Sequence, residues 1–295
     1  MQLNNLSLFL QIVEKGSLAA AGREMGLSAT TVSERLVALE SHYGVTLLNR
    51  TTRAISLTEE GRTLLEGAKQ VLSAAEELDS RVRLGAKTLS GLIRISAPVD
   101  LGRTRVKPVI DDFLSDNPNI SIELLLSDGY VNIIDEGIDL AVRLGHLADS
   151  SLRAKNLGQN QRIVCASANY LAKNEMPKSP KDLENHNCLI MRFGQQLDNV
   201  WHFSDKGKEL QVNVKGNRIA NDGALVHDWC LAGFGIALKS RWDVSADINS
   251  GKLVELLPEY SAPASPIQML FPPSRTQANR VREFAKVLAA AFEKS

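Results

Sequence analysis

Cysteine is scarce in this 295-residue chain: Cys165, Cys188 and Cys230 are the only three. An odd count at wide spacing argues against a disulfide framework and for a reducing compartment. Long apolar runs are missing too, and none approaches the length that spans a bilayer. The opening MQLNNLSLFLQIVEKG lacks the basic segment and apolar run of a signal peptide. There is no excess of one charge: Lys plus Arg and Asp plus Glu both total 34. That balance argues against indiscriminate binding to polyanions while leaving room for local basic contacts. His42, His146, His186, His202 and His227 show no zinc-motif spacing. No Ser–His–Asp, Walker-type or dinucleotide-binding pattern appears. The expectation is a cytoplasmic protein that is not an enzyme, with no catalytic residue, metal site or cofactor.

What is present reads as two or three domains. Hydrophobic content of 44% and charged content of 23% suit a globular core that needs no staples. Leu6, Phe9, Leu10 and Val13 recur at helical spacing until Gly16. Ser17 is an N-cap for a second helix carrying Leu18, Ala21 and Met25 on one face. Gly26 breaks that helix, and Ser28 caps a third. There Val32, Leu36, Leu39 and Tyr43 form one inward stripe that ends at Gly44. Two helices joined by a short Gly-containing turn make a helix-turn-helix. Residues 45–57, VTLLNRTTRAISL, read as a two-stranded hairpin, or wing, with Asn49–Arg53 near its tip.

Thr58 caps a long helix with apolar residues at Leu64, Ala68, Val71, Ala75, Leu78 and Val82. Alternating steps of four and three are a heptad rhythm, which predicts pairing with another helix or packing on its own domain. Beyond Ser90–Gly91 the texture changes. LIRISAP (92–98), a helix from about Leu101 to Asp116, ISIELLLS (120–127), a short helix at 131–137 and LAVRLG (140–145) alternate. RIVCAS, CLIM, VWHF, LQVNV, GIALK and IQMLF continue the strands, with helices near 223–232 and 277–293. Such alternation predicts an α/β domain with a largely parallel sheet.

A helix-turn-helix lays its second helix in the DNA major groove, N-terminal residues first. With the apolar stripe inward, Thr30, Glu34, Val37 and Ser41 face outward, with Thr31 and Ser33 at the edges. Arg35 lies toward the flank and suits a phosphate. Glu34 can accept from the exocyclic amine of cytosine, or is a solvated acid. Arg50 and Arg53 flank the wing, where they would touch phosphate or the minor groove, or are surface charges. Residues 1–57 hold five basic residues against four acids, so several copies on one DNA would be needed for affinity.

SLAAAGREMGLSATTVSERLVALESHYGVTLLNRTTRAISLTEEG (17–61) resembles the LysR-type transcriptional regulators. GLIRISAP, FLSDNPNISIEL, IIDEGIDLAVRLG, IVCASANYL, WHF, NDG and LAGFGIAL follow in that family's order, so the resemblance covers essentially the whole chain. It implies an α+β multidomain protein. A winged helix-turn-helix (1–58) and a dimerising linker helix (59–89) would precede an effector domain (90–295) like a periplasmic binding protein. That domain would divide into one α/β subdomain of 90–163 plus 267–295 and another of 164–266. The resemblance further implies a homodimer through the linker, a tetramer on an inverted-repeat operator, and a small-molecule effector in the cleft. DNA contacts carry over to Ser28, Ala29, Thr30, Thr31, Ser33, Glu34, Arg35, Arg50, Thr52 and Arg53. The family often has Ser-Gln-Pro where this chain has Ser28-Ala29-Thr30, and a basic residue at Glu34, so operator preference should differ.

Ligands of open α/β sheets bind beyond the carboxyl ends of strands. That rule directs Pro98–Leu101, Ser127–Asp128, Arg143–Gly145, Arg192–Phe193, Phe203, Asn221–Gly223 and Phe234–Gly235 to the cleft. The effector candidates are Val99, Asp100, Leu101, Ser127, Arg143, Gly145, Arg192, Phe203, Asn221, Asp222 and Phe234. Helix starts after Asp100 and Asp222 would offer N–H groups to an anion, with Arg143 or Arg192 as a partner for a carboxylate. The two aspartates oppose an anion unless they are N-caps, and Arg143 could instead be an internal ion-pair residue.

Overall fold

The computed structural model describes residues 2–50, 55–84, 88–129, 131–145, 152–260, 263–273 and 277–293. The chain divides into two compact units, Met1–Gly91 and Leu92–Ser295.

The first unit opens with α1 (Gln2–Lys15), α2 (Leu18–Glu24) and α3 (Ala29–Tyr43). Ser17 caps α2 by accepting from Ala20 N, and Gly16 and Gly26 take positive φ where the helices turn. Leu6, Leu8, Phe9, Ile12, Ala21, Val32, Leu36 and Leu39 form the core between these helices. Tyr43 departs from the inward stripe: it is 47% exposed, because Gly44 in a left-handed conformation ends the helix beside it. The strands β1 (Leu48–Arg50) and β2 (Ile55–Leu57) pair antiparallel, Leu48 opposite Leu57. The long helix α4 spans Glu59–Leu84 and carries Glu59 and Glu60 in its first turn, where the helix dipole favours acids.

The second unit holds two sheets. The first contains β3 (Gly91–Ala97), β4 (Ile120–Leu126), β5 (Leu140–Leu144), β6 (Arg153–Asn160) and a late strand formed by Ser265–Phe271. Between β3 and β4 the chain forms α5 (Val99–Leu101), a π-helical turn (Gly102–Val106) and α6 (Lys107–Asp116). The expected single helix from Leu101 is therefore an interrupted one. Residues 133–137 form turns, not the short helix expected over 131–137.

The second sheet starts with β7 (Arg162–Ser167), followed by α7 (Ala168–Leu171) and a 3-10 turn (Pro180–Asn185). Next come β8 (Cys188–Phe193), β9 (Gln196–Leu197), the hairpin β10 (Val200–Asp205) and β11 (Lys208–Asn213), and β12 (Arg218–Ala220). Then α8 (Gly223–Leu231), β13 (Ile236–Ser240), α9 (Arg241–Asn249) and β14 (Leu253–Leu256) lead to the late strand, β15, and to α10 (Asn279–Glu293).

Strand orders are β4-β3-β5-β15-β6 and β12-β8-β13-β7-β14. The expectation of a largely parallel sheet is corrected: β15 runs antiparallel to β5 and β6, and β7 antiparallel to β13 and β14. Both sheets are mixed because the chain crosses between them twice, after β6 and before β15, and arrives reversed each time. Near the first crossover the Trp242 indole donates to buried Asn160 (2.9 Å), and Arg241 N donates to Gln161 O (2.8 Å). Trp201, Phe203, Val212 and Val214 from the hairpin side pack with Val164, Ile236 and Leu238 in one core of the second sheet.

Candidate functional site

The outward face of α3 is built by its first turn. Ser28 Oγ accepts from Thr31 N (3.1 Å) and stands 2.8 Å from the Thr31 hydroxyl, so these two side chains hold the helix start together. Ala29, Thr30, Glu34, Val37 and Ser41 are exposed beside them, while Ser33 and Arg35 are half-buried at the edges. The wing is anchored to this helix: Glu40 accepts from Leu47 N (2.9 Å). Thr58 Oγ1 donates to Thr46 O (2.8 Å) and accepts from Gly61 N (2.9 Å), tying the wing's base to the start of α4. Arg50 ends β1, and Thr52 and Arg53 lie outside the described residues. Val71, Leu78 and Val82 project from the middle and second half of α4, exposed by 48%, 62% and 77%.

In the second unit, side chains from both sheets meet around the first turn of α8. Asp222 is its N-cap and accepts from Ala224 N (2.9 Å) and Leu225 N (3.3 Å). The next N–H, Gly223, donates to Asp128 Oδ2 (3.1 Å). Asp128 comes from beyond β4, and its other oxygen accepts from Val99 N (2.9 Å). One carboxylate therefore bridges the two subdomains through backbone donors. Burial raises its pKa, and the Asp100 and Asp222 charges add to that, against the two N–H bonds.

Asp100 is not a helix N-cap, as the structure starts α5 one residue earlier. Its Oδ2 instead accepts from Lys239 Nζ at 2.8 Å. Lys239 is buried at the end of β13, with 2.8 Å contacts to the Gly223 carbonyl and to Asp243 Oδ2. Burial alone would lower its pKa; Asp243 and Asp100 outweigh that and raise it. Beyond Asp243, His227 lies 3.0 Å from Asp247.

The remaining candidates scatter. Arg143 donates to Ser96 Oγ (2.8 Å) and Val142 O (2.7 Å); burial lowers its pKa, and nearby Asp128 and Glu136 oppose that. Ser127 accepts from Gly129 N (3.1 Å), and Gly145 N donates to Pro266 O (2.8 Å). Asn221 is exposed, and Arg192 pairs with Leu197 in β9. Phe234 lies under the Arg218 guanidinium at 4.0 Å. Two expectations are corrected. Phe203 is 1% exposed in the hydrophobic core, where alternation along β10 turns it inward, and the Leu101 side chain is likewise in the core.

Lys239, Asp243 and His227 were not among the expected site residues. Their signal was a lysine closing the apolar run GIALK, with an aspartate four residues on. The thiols are core groups: Cys165, Cys188 and Cys230 are buried, and burial pushes Cys188 up to about 12. Among the described residues no cluster of three or more His, Cys, Asp or Glu could hold a metal, and no helix is long and apolar enough to cross a membrane.

A winged helix-turn-helix, a long helix with an exposed heptad stripe and a two-sheet domain closing around convergent donors define an effector-responsive transcriptional regulator. The chain belongs to the LysR family of such regulators. Residues 3–62 match the bacterial regulatory helix-turn-helix protein model of the lysR family, and residues 86–293 match the LysR substrate binding domain. It is 35% identical over 263 residues to the HTH-type transcriptional regulator DmlR of Escherichia coli, covering 89% of this chain and 86% of that one. It is 33% identical over 261 residues to the activator TtdR of the same species, covering 88% and 84%. Among solved structures it is similar to the LysR-type regulator CrgA of Neisseria meningitidis, with 31% identity, 98% of each chain covered and a TM-score of 0.64.

Proposed function

We propose that this chain is a sequence-specific DNA-binding regulator, acting in the cytoplasm, whose effector is a small organic acid. The observation that carries the effector class is the convergence of donors at the cleft. Val99 N–H, Gly223 N–H and Lys239 Nζ all point to carboxylate oxygens there. Fixed N–H groups and a buried ammonium favour an anion of carboxylate shape. On the DNA side, Ala29, Thr30, Ser33 and Glu34 would meet base edges, with Ser28, Thr31 and Arg35 at the flanks and Arg50, Thr52 and Arg53 on the backbone. The exposed stripe on α4 would pair two protomers, and two such dimers would occupy an inverted repeat as a tetramer. DNA-shift titrations of the full-length protein on DNA flanking its own gene, over a range of salt, test this. Sequence-selective, salt-dependent binding that a small acid alters is the expected result. Binding indifferent to sequence would refute it.

A further inference from the structure

Lys239 holds more negative charge than it needs. Asp243, four residues on in the same subdomain, neutralises it from 2.8 Å, and the Gly223 carbonyl accepts a hydrogen bond from it. One carboxylate is enough to balance a buried ammonium. Asp100 nevertheless brings a second one to 2.8 Å, and brings it from the other subdomain. Asp128 and Asp222 stand near enough for their charges to interact.

The space beside Lys239 is also shaped for this group. Gly223 has no side chain where the Asp100 carboxylate lies. A Cβ there would collide with Asp100 Oδ2 and stand 3.3 Å from Lys239 Nζ. The place is thus a flat glycine face, an ammonium and a helix start, filled by a carboxylate that neutrality does not require.

We propose that Asp100 is an internal stand-in for the effector: the carboxylate of a small acid takes its place beside Lys239, and Asp100 turns out to solvent. This rests on the reading of the cleft as a small-acid site. Exchange of one carboxylate for another leaves Lys239 paired throughout, so no buried charge is stranded. Binding without exchange would add an anion beside Asp100, Asp128 and Asp222, which Coulomb repulsion opposes. A cationic ligand in the same place would lie against the Lys239 ammonium. Because Asp100 and Lys239 belong to different subdomains, exchange also cuts an ion pair between them. Occupancy is thereby coupled to how the subdomains hold each other.

The test uses full-length protein as wild type, Asp100→Asn, Lys239→Arg and Lys239→Met. Thermal shift and calorimetric titration are run with acetate, malonate, succinate and benzoate at constant ionic strength, with chloride as control and putrescine as the cationic probe. At least one acid stabilises wild type, and Asp100→Asn binds that acid about tenfold more tightly because the internal competitor is gone. Lys239→Arg retains binding and Lys239→Met loses it. Should Lys239→Met fail to fold, the comparison of Asp100→Asn with wild type decides alone. If an acid binds wild type but Asp100→Asn binds it equally or more weakly, the exchange is wrong and the small-acid reading stands. If no acid binds either protein, or putrescine alone stabilises them, the small-acid reading itself falls.

Discussion

Buried Lys239 finds hydrogen-bond acceptors in Asp100 and the Gly223 carbonyl, and a counter-charge at 2.8 Å in Asp243. That arrangement was only partly legible beforehand. The ends of strands pointed to Asp100 and Asp222, but Lys239 sits inside an apolar run that reads as core. Partners 139 residues apart in sequence leave no local pattern, as Lys239 and Asp100 do. Glu34 poses the opposite case, a charge at the surface with its opportunity still open. It is exposed on the face that would enter the major groove, within two turns of the Ser28 cap. Gln keeps an acceptor and adds a donor, so Glu34→Gln should change which base is preferred. The expected discrimination is about 1–3 kcal/mol at one position of each half-site, with little change on random DNA. Selection from randomised operators measures this, and an identical preference profile would leave Glu34 a solvated acid.

The junction of wing and linker is the element on which the DNA-reading face depends. The Leu47 carbonyl accepts from Thr58 N (3.1 Å), and it lies so close to Gly61 that a Cβ there would collide with it. Gly61→Ala should therefore force the wing away from α4 and destabilise the protein by about 1–3 kcal/mol. Gly67, two turns further along the same helix, has nothing within 4 Å of its would-be Cβ. Gly67→Ala should stabilise by about 0.5–1 kcal/mol, through helix propensity alone. Urea denaturation of both variants reads the contrast, and two changes of equal sign would remove the close approach as its cause. Helices, caps and the wing were legible because their signals are local: Ser17, Ser28, Gly44 and Thr58 each act within a few residues. The break in the helix after Leu101 was not. Gly102 lies against Leu126 and Ala97, so that a Cβ would strike the Leu126 side chain, and such a contact with β4 has no trace in periodicity.

At the scale of the whole molecule, strand existence was readable and strand direction was not. Apolar runs such as RIVCAS and IQMLF mark buried strands, yet whether each lies parallel or antiparallel depends on crossovers that composition does not record. Assembly follows a similar division along α4. Leu64, Leu65, Ala68 and Leu72 pack on the core of their own unit, whereas Val71, Leu78 and Val82 continue the heptad stripe outward. An apolar stripe this exposed is suited to a second copy of the same helix. Leu78 separates folding from association, because at 62% exposure it contributes little to the isolated protomer. Burying one leucine stabilises by about 1.5–3 kcal/mol, and a symmetric pair involves two. Leu78→Glu should therefore leave the far-ultraviolet circular dichroism unchanged while weakening the dimer by about a hundredfold or more, since two charges would have to be desolvated. Sedimentation equilibrium over a range of protein concentration measures the shift. DNA affinity should fall with it, because each winged helix-turn-helix carries so few basic residues that binding gains from a linked second copy. A dimer of unchanged stability would show that the outward stripe of α4 is not the contact between protomers.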